Sequence, residues 1–587
     1  MSSQKESLPI GIPSIRVVTG VPSGDVSQPT QNFTLKKDIL CPMRDGVLLA
    51  MDLLIPEGGG PFPVILERTP YDKNNSRNAS TENYARCGYV VALQDVRGRF
   101  NSDGNFDPYR QEHQDGFDTI NWIDEQSWCD GNVGMIGGSY SGQTQWYSAS
   151  QTPKALKAII PVESPPGNAF VNEPLYGGVM ILALLEWNAC MGRRSAKATD
   201  IQTLLTEHKD YFDVLPLAKA GQASGVHCAW WEQVWLDHPS YDDFWKSCGY
   251  EHLWSKMTVP ALNISGWWGL NFNGAPRNFV GMREQGATVE AREGQRLVIG
   301  PWPHWVNGRR TLNGVDLGVN AVTGLSHYNL KFFDYYLKGK TDNGLLEDSR
   351  VHVYVVGANE WWEADQWPLP GTIPTALYLH SEGRANSHRG NGSLSFTQPG
   401  DEPADEYIAN PLDPVTTHWN LHDGPVDDRA VTERPDVLCY TSDTLTEAVD
   451  VVGDISAVLY ASSSAKDCDW HIRLVDVHPD GSARFMCHGA LRSRFRNGFE
   501  KMDLLTPNEV TRFNISMTAT GIRFLPGHKI RIEIASSWFN RFDRNLQTGA
   551  ENWMRDEGEP VVATQRVFHD EDHPSHIILP MIPTGAV

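Results

Sequence analysis

With 587 residues, 40% of them hydrophobic and 21% charged, the chain has a soluble globular composition but is too long for one core. About two or three domains are expected. The formal net charge of -22, from 50 Lys and Arg against 72 Asp and Glu, argues against nucleic acid or an anionic membrane as partner. Residues 1–18 lack the apolar core of a secretory signal, residues 179–185 are too short to span a bilayer, and no CxxC pair or Cys/His metal spacing occurs. These features predict a cytoplasmic protein with reduced thiols and no metal site, with an exported protein as the alternative, and no cofactor is implied.

Residues 33–56 alternate apolar and polar positions around Arg44-Asp45-Gly46, which predicts a hairpin. Residues 62–67 and 89–94 are compact apolar runs, the form of buried parallel strands. Between 114 and 125, Phe117, Ile120, Trp122 and Ile123 share one helical face. A short strand at 132–135 and a helix at 143–150 flank Ile136-Gly137-Gly138-Ser139-Tyr140-Ser141-Gly142. Further strands are expected at 155–162, 259–265 and 296–300, and a last helix at 326–339. Alternation of strand and helix predicts a mostly parallel sheet with its site at the carboxyl ends of the strands.

Between Glu163 and Val259 the chain is interrupted by nearly a hundred residues with helical patterns at 181–190 and 200–211. This insertion carries Trp187, Trp230, Trp231, Trp235, Trp245 and Trp254, and is expected to lie over the site as a helical cap, most of its tryptophans forming its own core. From residue 351 the texture changes to short alternating segments at 351–356, 375–379, 457–461, 471–475 and 529–535, which predict an all-β sandwich. The expected division is an α/β domain in two parts (1–164 and 256–349), a helical cap (165–255) and a C-terminal β-sandwich (350–587).

Ser139 falls on a strand-to-helix corner, where Gly137 and Gly142 allow close packing and the helix aims backbone N–H groups at the same spot. That is a nucleophile elbow, although Ser141 stands where G-x-S-x-G requires its second glycine. Acyl transfer also needs a base, a group to orient it and oxyanion donors. In Ile299-Gly300-Pro301-Trp302-Pro303-His304 a histidine follows a strand at the place where hydrolase topology puts the base.

Five ordered motifs, Arg68-Thr69-Pro70-Tyr71-Asp72-Lys73, residues 88–104 (G-Y-V-V-A-L-Q-D-V-R-G-R-F-N-S-D-G), G-G-S-Y-S-G around Ser139, I-G-P-W-P-H ending at His304, and S-S-W-F-N-R-F-D-R-N at 536–545, resemble the cocaine esterase group. That group belongs with the X-Pro dipeptidyl-peptidases, α-amino acid ester hydrolases and glutaryl cephalosporin acylases. The resemblance implies Ser139 as nucleophile, His304 as general base, and an oxyanion hole from the Tyr140 backbone N–H and the Tyr71 hydroxyl. It also implies an α/β-hydrolase fold with a helical cap and a jelly-roll-like C-terminal domain.

One family feature is missing. Where G-W-x-D would supply the acid, the chain reads Gly266-Trp267-Trp268-Gly269-Leu270-Asn271. Glu163, after the strand that follows the nucleophile helix, is the candidate for a relocated acid, with a salt bridge to the insertion or a place in the substrate pocket as its alternative. Asn271 and Asn273 are weaker candidates to orient His304, since a neutral acceptor leaves imidazolium uncompensated. Trp267 and Trp268 are candidate substrate contacts, and Glu163, Glu173 and Glu186 are the acids available for a substrate ammonium. Asp95, Arg97, Arg99 and Asp103 are expected to fix their loop, Asp72 to order the loop of Tyr71, and Arg541, Asp543 and Arg544 to form a structural network.

The expected function is a serine esterase or acyl hydrolase working on a small-molecule ester or amide, with tryptophans near the cap favouring a bulky apolar or aromatic acyl group. An acyltransferase using the same acyl-enzyme, a non-hydrolytic binding protein, an X-Pro dipeptidyl-peptidase and a β-lactam acylase are the alternatives, and a homo-oligomer is left open.

Overall fold

The computed structural model describes residues 15–583 apart from 23, 169, 171–174, 196–212, 224–234, 307 and 418–423. The expected helix at 200–211, Trp230, Trp231 and Glu173 lie outside the described residues.

Seven strands run parallel in the spatial order Val90–Asp95, Phe62–Thr69, Cys129–Gly138, Leu156–Val162, Leu262–Trp268, Arg296–Pro303 and Val351–Val355. The hairpin Phe33–Pro42 and Leu48–Pro56 extends one edge antiparallel, and Glu360–Ala364 with Arg16–Val18 extends the other. Val90–Asp95 and Arg296–Pro303 are buried at every position, as interior strands covered on both faces must be. Helices Glu112–Asp124, Tyr140–Ser150, Gly274–Gln285 and Leu325–Lys338 accompany the sheet. The Tyr140–Ser150 helix is buried along its whole length despite a largely polar sequence. The Gln145 amide nitrogen donates to the carbonyls of Gly137 and Ile160 on the two strands it covers and to Ser141 of its own helix.

Residues 351–356, expected to open the β-sandwich, instead lie in the first sheet beside Arg296–Pro303. The reason is legible in their burial. All five positions of Val351–Val355 are enclosed, which is the environment of a parallel interior strand and not of a strand with one wet face. The second, mainly antiparallel sheet therefore starts at Ile373–His380, which pairs with His576–Ile582. The other expected segments appear as Ser456–Ser463, Asp469–Val477 and Lys529–Ala535.

The two sheets are joined by backbone bonds, Val356 N–H to Gly521 O at 2.9 Å and Arg523 N–H to Val356 O at 2.7 Å. In the inserted segment, whose described part includes the helix Ala183–Met191, the N–H of Met180 donates to Asp543 Oδ1 at 2.8 Å. Asp543 also accepts from Arg492 at 3.0 Å, and Arg492 pairs with Asp469 at 2.8 Å, all three buried. Arg544 donates to the Asp213 carbonyl at 2.9 Å. Trp245 and Trp254 are buried in the inserted segment. Every described cysteine is a buried free thiol, and no described helix is long and apolar enough to cross a membrane.

A carboxylate–imidazole knot ties the second sheet together. Asp405 accepts from His569 Nε2 at 2.8 Å, from Tyr440 at 2.8 Å and from the Ala385 N–H at 2.7 Å, while Glu402 stands 3.3 Å from His569 Nδ1. Burial opposes charge on His569, but the bond to Asp405 and the charges of Asp405 and Glu402 prevail and raise its pKa above 6.5. A pKa raised on folding contributes stability that is complete below the unfolded value and is lost as pH rises through the folded one. His569→Gln should therefore lower the melting temperature more at about pH 6 than at about pH 9. Paired thermal melts check this, and equal losses at both pH values would contradict it.

Candidate active site

The parallel strands deliver the site residues in a row. Ser139, Glu163, Gly269 and His304 are each the first residue after their strand, in four consecutive neighbours of the sheet, and Tyr71 is the second after the adjacent strand. Parallel alignment alone brings their carboxyl ends to one edge.

Ser139 adopts φ 57° and ψ -127°, a conformation that L-residues rarely hold and that costs on the order of 1–3 kcal/mol. It is retained because its neighbours over-determine it. The Ser139 N–H donates to Val162 O at 2.9 Å, and Ser139 O accepts from the N–H groups of Gly142 and Gln143. A Cβ on Gly137 would stand 2.7 Å from Ser141 Cβ, and one on Gly142 would meet Ser164 Cβ at 3.0 Å, so both glycines are needed for this packing. The close approach at Gly142 is also what brings the segment carrying Glu163 beside the elbow.

Tyr71 Oη lies 3.2 Å from Ser139 Oγ. Its loop is held from several sides. Arg99 donates to the Pro70 carbonyl at 2.9 Å, Asp72 at φ 80° accepts from the Asn74 N–H, and Asp95 accepts from the Lys73 N–H at 2.8 Å. Arg97 pairs with Asp45 at 2.7 Å and Asp115 at 2.6 Å, bracing the next loop. The side chain of Tyr140 is turned into the core, where its hydroxyl accepts from the Tyr109 N–H at 2.8 Å and donates to Glu112 Oε1 at 3.3 Å. Glu112 is in turn paired with buried Arg68 at 2.7 Å. Tyr140 thus faces the site only through its backbone, as the first residue of a helix whose leading N–H groups have no intrahelical acceptor.

Glu163 is 1% exposed and has φ 46°. Its Oε1 accepts from Ser265 Oγ at 2.8 Å and from the Gly266 N–H at 2.6 Å. Its Oε2 faces His304 Nδ1 at 3.7 Å, and neither atom has a hydrogen-bond partner among the described residues. The strand Leu262–Trp268 lies between those ending at Glu163 and His304, so the carboxylate reaches its histidine by passing over position 269. A Cβ on Gly269 would fall 2.1 Å from Oε2 and 2.3 Å from Oε1 of Glu163. Gly269 leaves room that Glu163 fills.

The remaining candidates separate. Asn271 donates to the Glu163 carbonyl at 3.0 Å and Asn273 bonds Tyr176, so both brace the surroundings and neither is seen to orient His304. Trp267 is turned between the sheets, donating to Tyr354 O at 2.6 Å, in a packing position rather than a substrate-facing one. Trp268 is also buried, and its indole N–H has no partner among the described residues. Glu186 makes no hydrogen bond or ion pair among the described residues, and burial pushes its pKa up to about 7.

Three residues near these groups were not legible as contacts in the sequence. Trp187 of the inserted helix donates to Tyr71 Oη at 3.3 Å and packs on Phe106, Tyr109 and Tyr140. Trp305 is 57% exposed and meets the His304 ring edge-on at 5.3 Å. Glu67 keeps partial surface contact, but its enclosed carboxyl, which accepts from Ser76 at 2.9 Å, has its pKa pushed up to about 7 by burial. Its Cγ would lie 3.3 Å from a Cβ on Gly137. Only the position of Glu67 inside an apolar run hinted at this.

Residues 45–306 match the family model described as X-Pro dipeptidyl-peptidase (S15 family), and 343–578 match that of the X-Pro dipeptidyl-peptidase C-terminal non-catalytic domain. Cocaine esterase of Rhodococcus sp. (strain MB1 Bresler) is 37% identical over 579 residues, 94% of this chain and 99% of that protein. Among solved structures, an α-amino acid ester hydrolase superposes with a TM-score of 0.82 at 25% identity, covering 99% of this chain and 100% of the other. An aminopeptidase from a marine sediment Thaumarchaeota archaeon gives 0.81 at 27% identity, covering 94% of this chain and 97% of the other.

The packing of Glu163 over Gly269 is directly testable. Gly269→Ala should destabilise the protein by about 1–3 kcal/mol through overpacking, and Glu163→Ala in the same chain should remove most of that loss. Denaturation midpoints of the two single variants and the double variant measure the coupling; additive effects would show that the two positions do not compete for space.

Proposed function

This chain belongs to the X-Pro dipeptidyl-peptidase (S15) family of serine hydrolases, and we propose that it is an esterase with a relocated catalytic acid. The reading rests on one observation above the others, the Glu163 carboxylate facing His304 Nδ1 across the space left by Gly269.

In this mechanism Ser139 Oγ attacks the acyl carbonyl carbon while His304 takes its proton through Nε2, since Nδ1 is directed at Glu163. Contraction of the 3.7 Å separation gives a charge-assisted hydrogen bond as imidazolium forms. The negative carbonyl oxygen is held by the Tyr140 N–H and the Tyr71 hydroxyl. The indole of Trp187 can only donate, so its bond to Tyr71 Oη uses an oxygen lone pair and not the phenol proton, which serves the oxyanion. His304 returns the proton to the departing alcohol, and water, activated by the same base, releases the acid.

The inserted helices act as a cap over the site, and the C-terminal sheet is a jelly-roll-like sandwich supporting it. Trp187 reaches the Tyr71 hydroxyl with Phe106 and Tyr109 packed against its indole, and this aromatic cluster favours an ester with a bulky apolar or aromatic acyl group. The names of the cocaine esterase and α-amino acid ester hydrolase relatives point to the same bond class.

Turnover of p-nitrophenyl esters tests the assignment. Ser139→Ala should be inactive and resist fluorophosphonate labelling, Tyr71→Phe should lose about 10²- to 10³-fold in kcat, and Glu163→Gln about 10²- to 10⁴-fold. Adding Gly269→Asp to Glu163→Ala should restore part of the activity. Near-normal turnover by Glu163→Gln would sink the relocated acid, and inactivity of the native chain on a range of aromatic and aliphatic esters would sink the esterase reading.

A further inference from the structure

A second cluster of functional side chains stands in the C-terminal sheet, outside the hydrolase machinery. Strand Asp469–Val477 pairs antiparallel with Lys529–Ala535, with Asp476 opposite Ile530 and Val477 opposite Lys529. Continuing that register by one residue sets His478 opposite His528. Side chains alternate along a strand, so Asp476 and His478 share a face, and the cross-strand neighbour His528 joins them there.

The side chains meet accordingly. His528 Nδ1 lies 2.9 Å from Asp476 Oδ1, and His478 Nε2 lies 3.3 Å from Asp476 Oδ2. The imidazole centroids are 4.4 Å apart, and one ligand atom from each of the three residues lies within 4.8 Å of the others. Ligands about 2.0–2.1 Å from a tetrahedral zinc ion stand about 3.3 Å from one another, so this constellation needs little contraction to close on a metal. Its backbone is already fixed. The His478 N–H donates to Ser482 O and its carbonyl accepts from Gly481 in a tight turn, while the His528 carbonyl accepts from Leu445. Asp476 and His528 are buried and His478 is half-buried, which leaves an approach from solvent on the His478 side.

Two imidazoles and one carboxyl group suit a borderline divalent cation better than calcium or magnesium, which prefer all-oxygen shells. We propose that Asp476, His478 and His528 bind one divalent cation of the zinc class, with solvent at the fourth position. Such an ion cross-links the end of one strand, the turn that follows it and the start of its neighbour, and stabilises the C-terminal sheet by mass action. The cysteine-based expectation of no metal overlooks it, because its ligands come from segments far apart in the chain.

The test uses full-length protein without a histidine tag, stripped with EDTA and dialysed, then titrated with zinc chloride by calorimetry and followed by thermal melting. Wild type should take up one zinc per chain and melt several degrees higher with it, and cobalt should give the visible bands of a four-coordinate nitrogen and oxygen site. His478→Gln, chosen because that side chain is only half-buried, should melt with wild type when metal-free and bind zinc at least tenfold more weakly. Ser139→Ala should bind zinc as wild type does, which keeps this inference separate from the esterase assignment. Absence of saturable uptake by wild type below about 100 µM zinc, or uptake unchanged in His478→Gln, would overturn the proposal and leave the trio as a hydrogen-bonded network only.

Discussion

The contact on which the site depends is between a carboxylate and a missing side chain. Glu163 projects from one strand end, crosses the end of the next, and faces a histidine on the third, and only a glycine at 269 lets it pass. Once there, it is held by Ser265 and the Gly266 N–H on one oxygen and directed at His304 by the other. A polar group this deeply buried is tolerable because fixed donors replace the water it has lost. Glu163 also adopts a positive φ at the point where the chain leaves its strand.

Backbone strain accompanies the candidate site, as it does several loops elsewhere in the chain. Asp72, Ser139 and Glu163 are all non-glycine residues at positive φ, and they lie in the Tyr71 loop, at the strand-to-helix corner and beside His304. Each is stabilised by a neighbour that also belongs to the site's support. Val162 O receives the Ser139 N–H, Ile264 O receives the Glu163 N–H, and the Asp72 carboxylate caps its own short helix. Packing of the polar Tyr140–Ser150 helix against the sheet gives these turns a rigid base.

The inserted segment and the C-terminal sheet are not passive additions. Trp187 reaches from the former to Tyr71, and Asp543 of the latter accepts from the backbone of Met180 at the entry to the same helix. The buried Arg492, with Asp469 and Asp543, therefore positions a helix that touches the phenol. Removing one member of such an ion network leaves an uncompensated buried charge, so its contribution lies more in specifying one arrangement than in net stability.

The order of strands and helices, the elbow at Ser139, the histidine after its strand and the all-β texture of the C-terminal half were legible in the sequence, because local periodicity and turn chemistry report which backbone an element adopts. The same reading placed Glu163 at a strand end and noticed an acid missing at Gly269. Local pattern had nothing to say about the distance between them. That the carboxylate occupies the glycine's side-chain volume, that residues 351–356 complete the first sheet, that Trp267 is packing, and that Asp476, His478 and His528 converge were decided only by the tertiary structure. Each depends on which strands become neighbours, and strand neighbours are chosen by burial summed over the whole sheet, not by any residue's own surroundings in the chain.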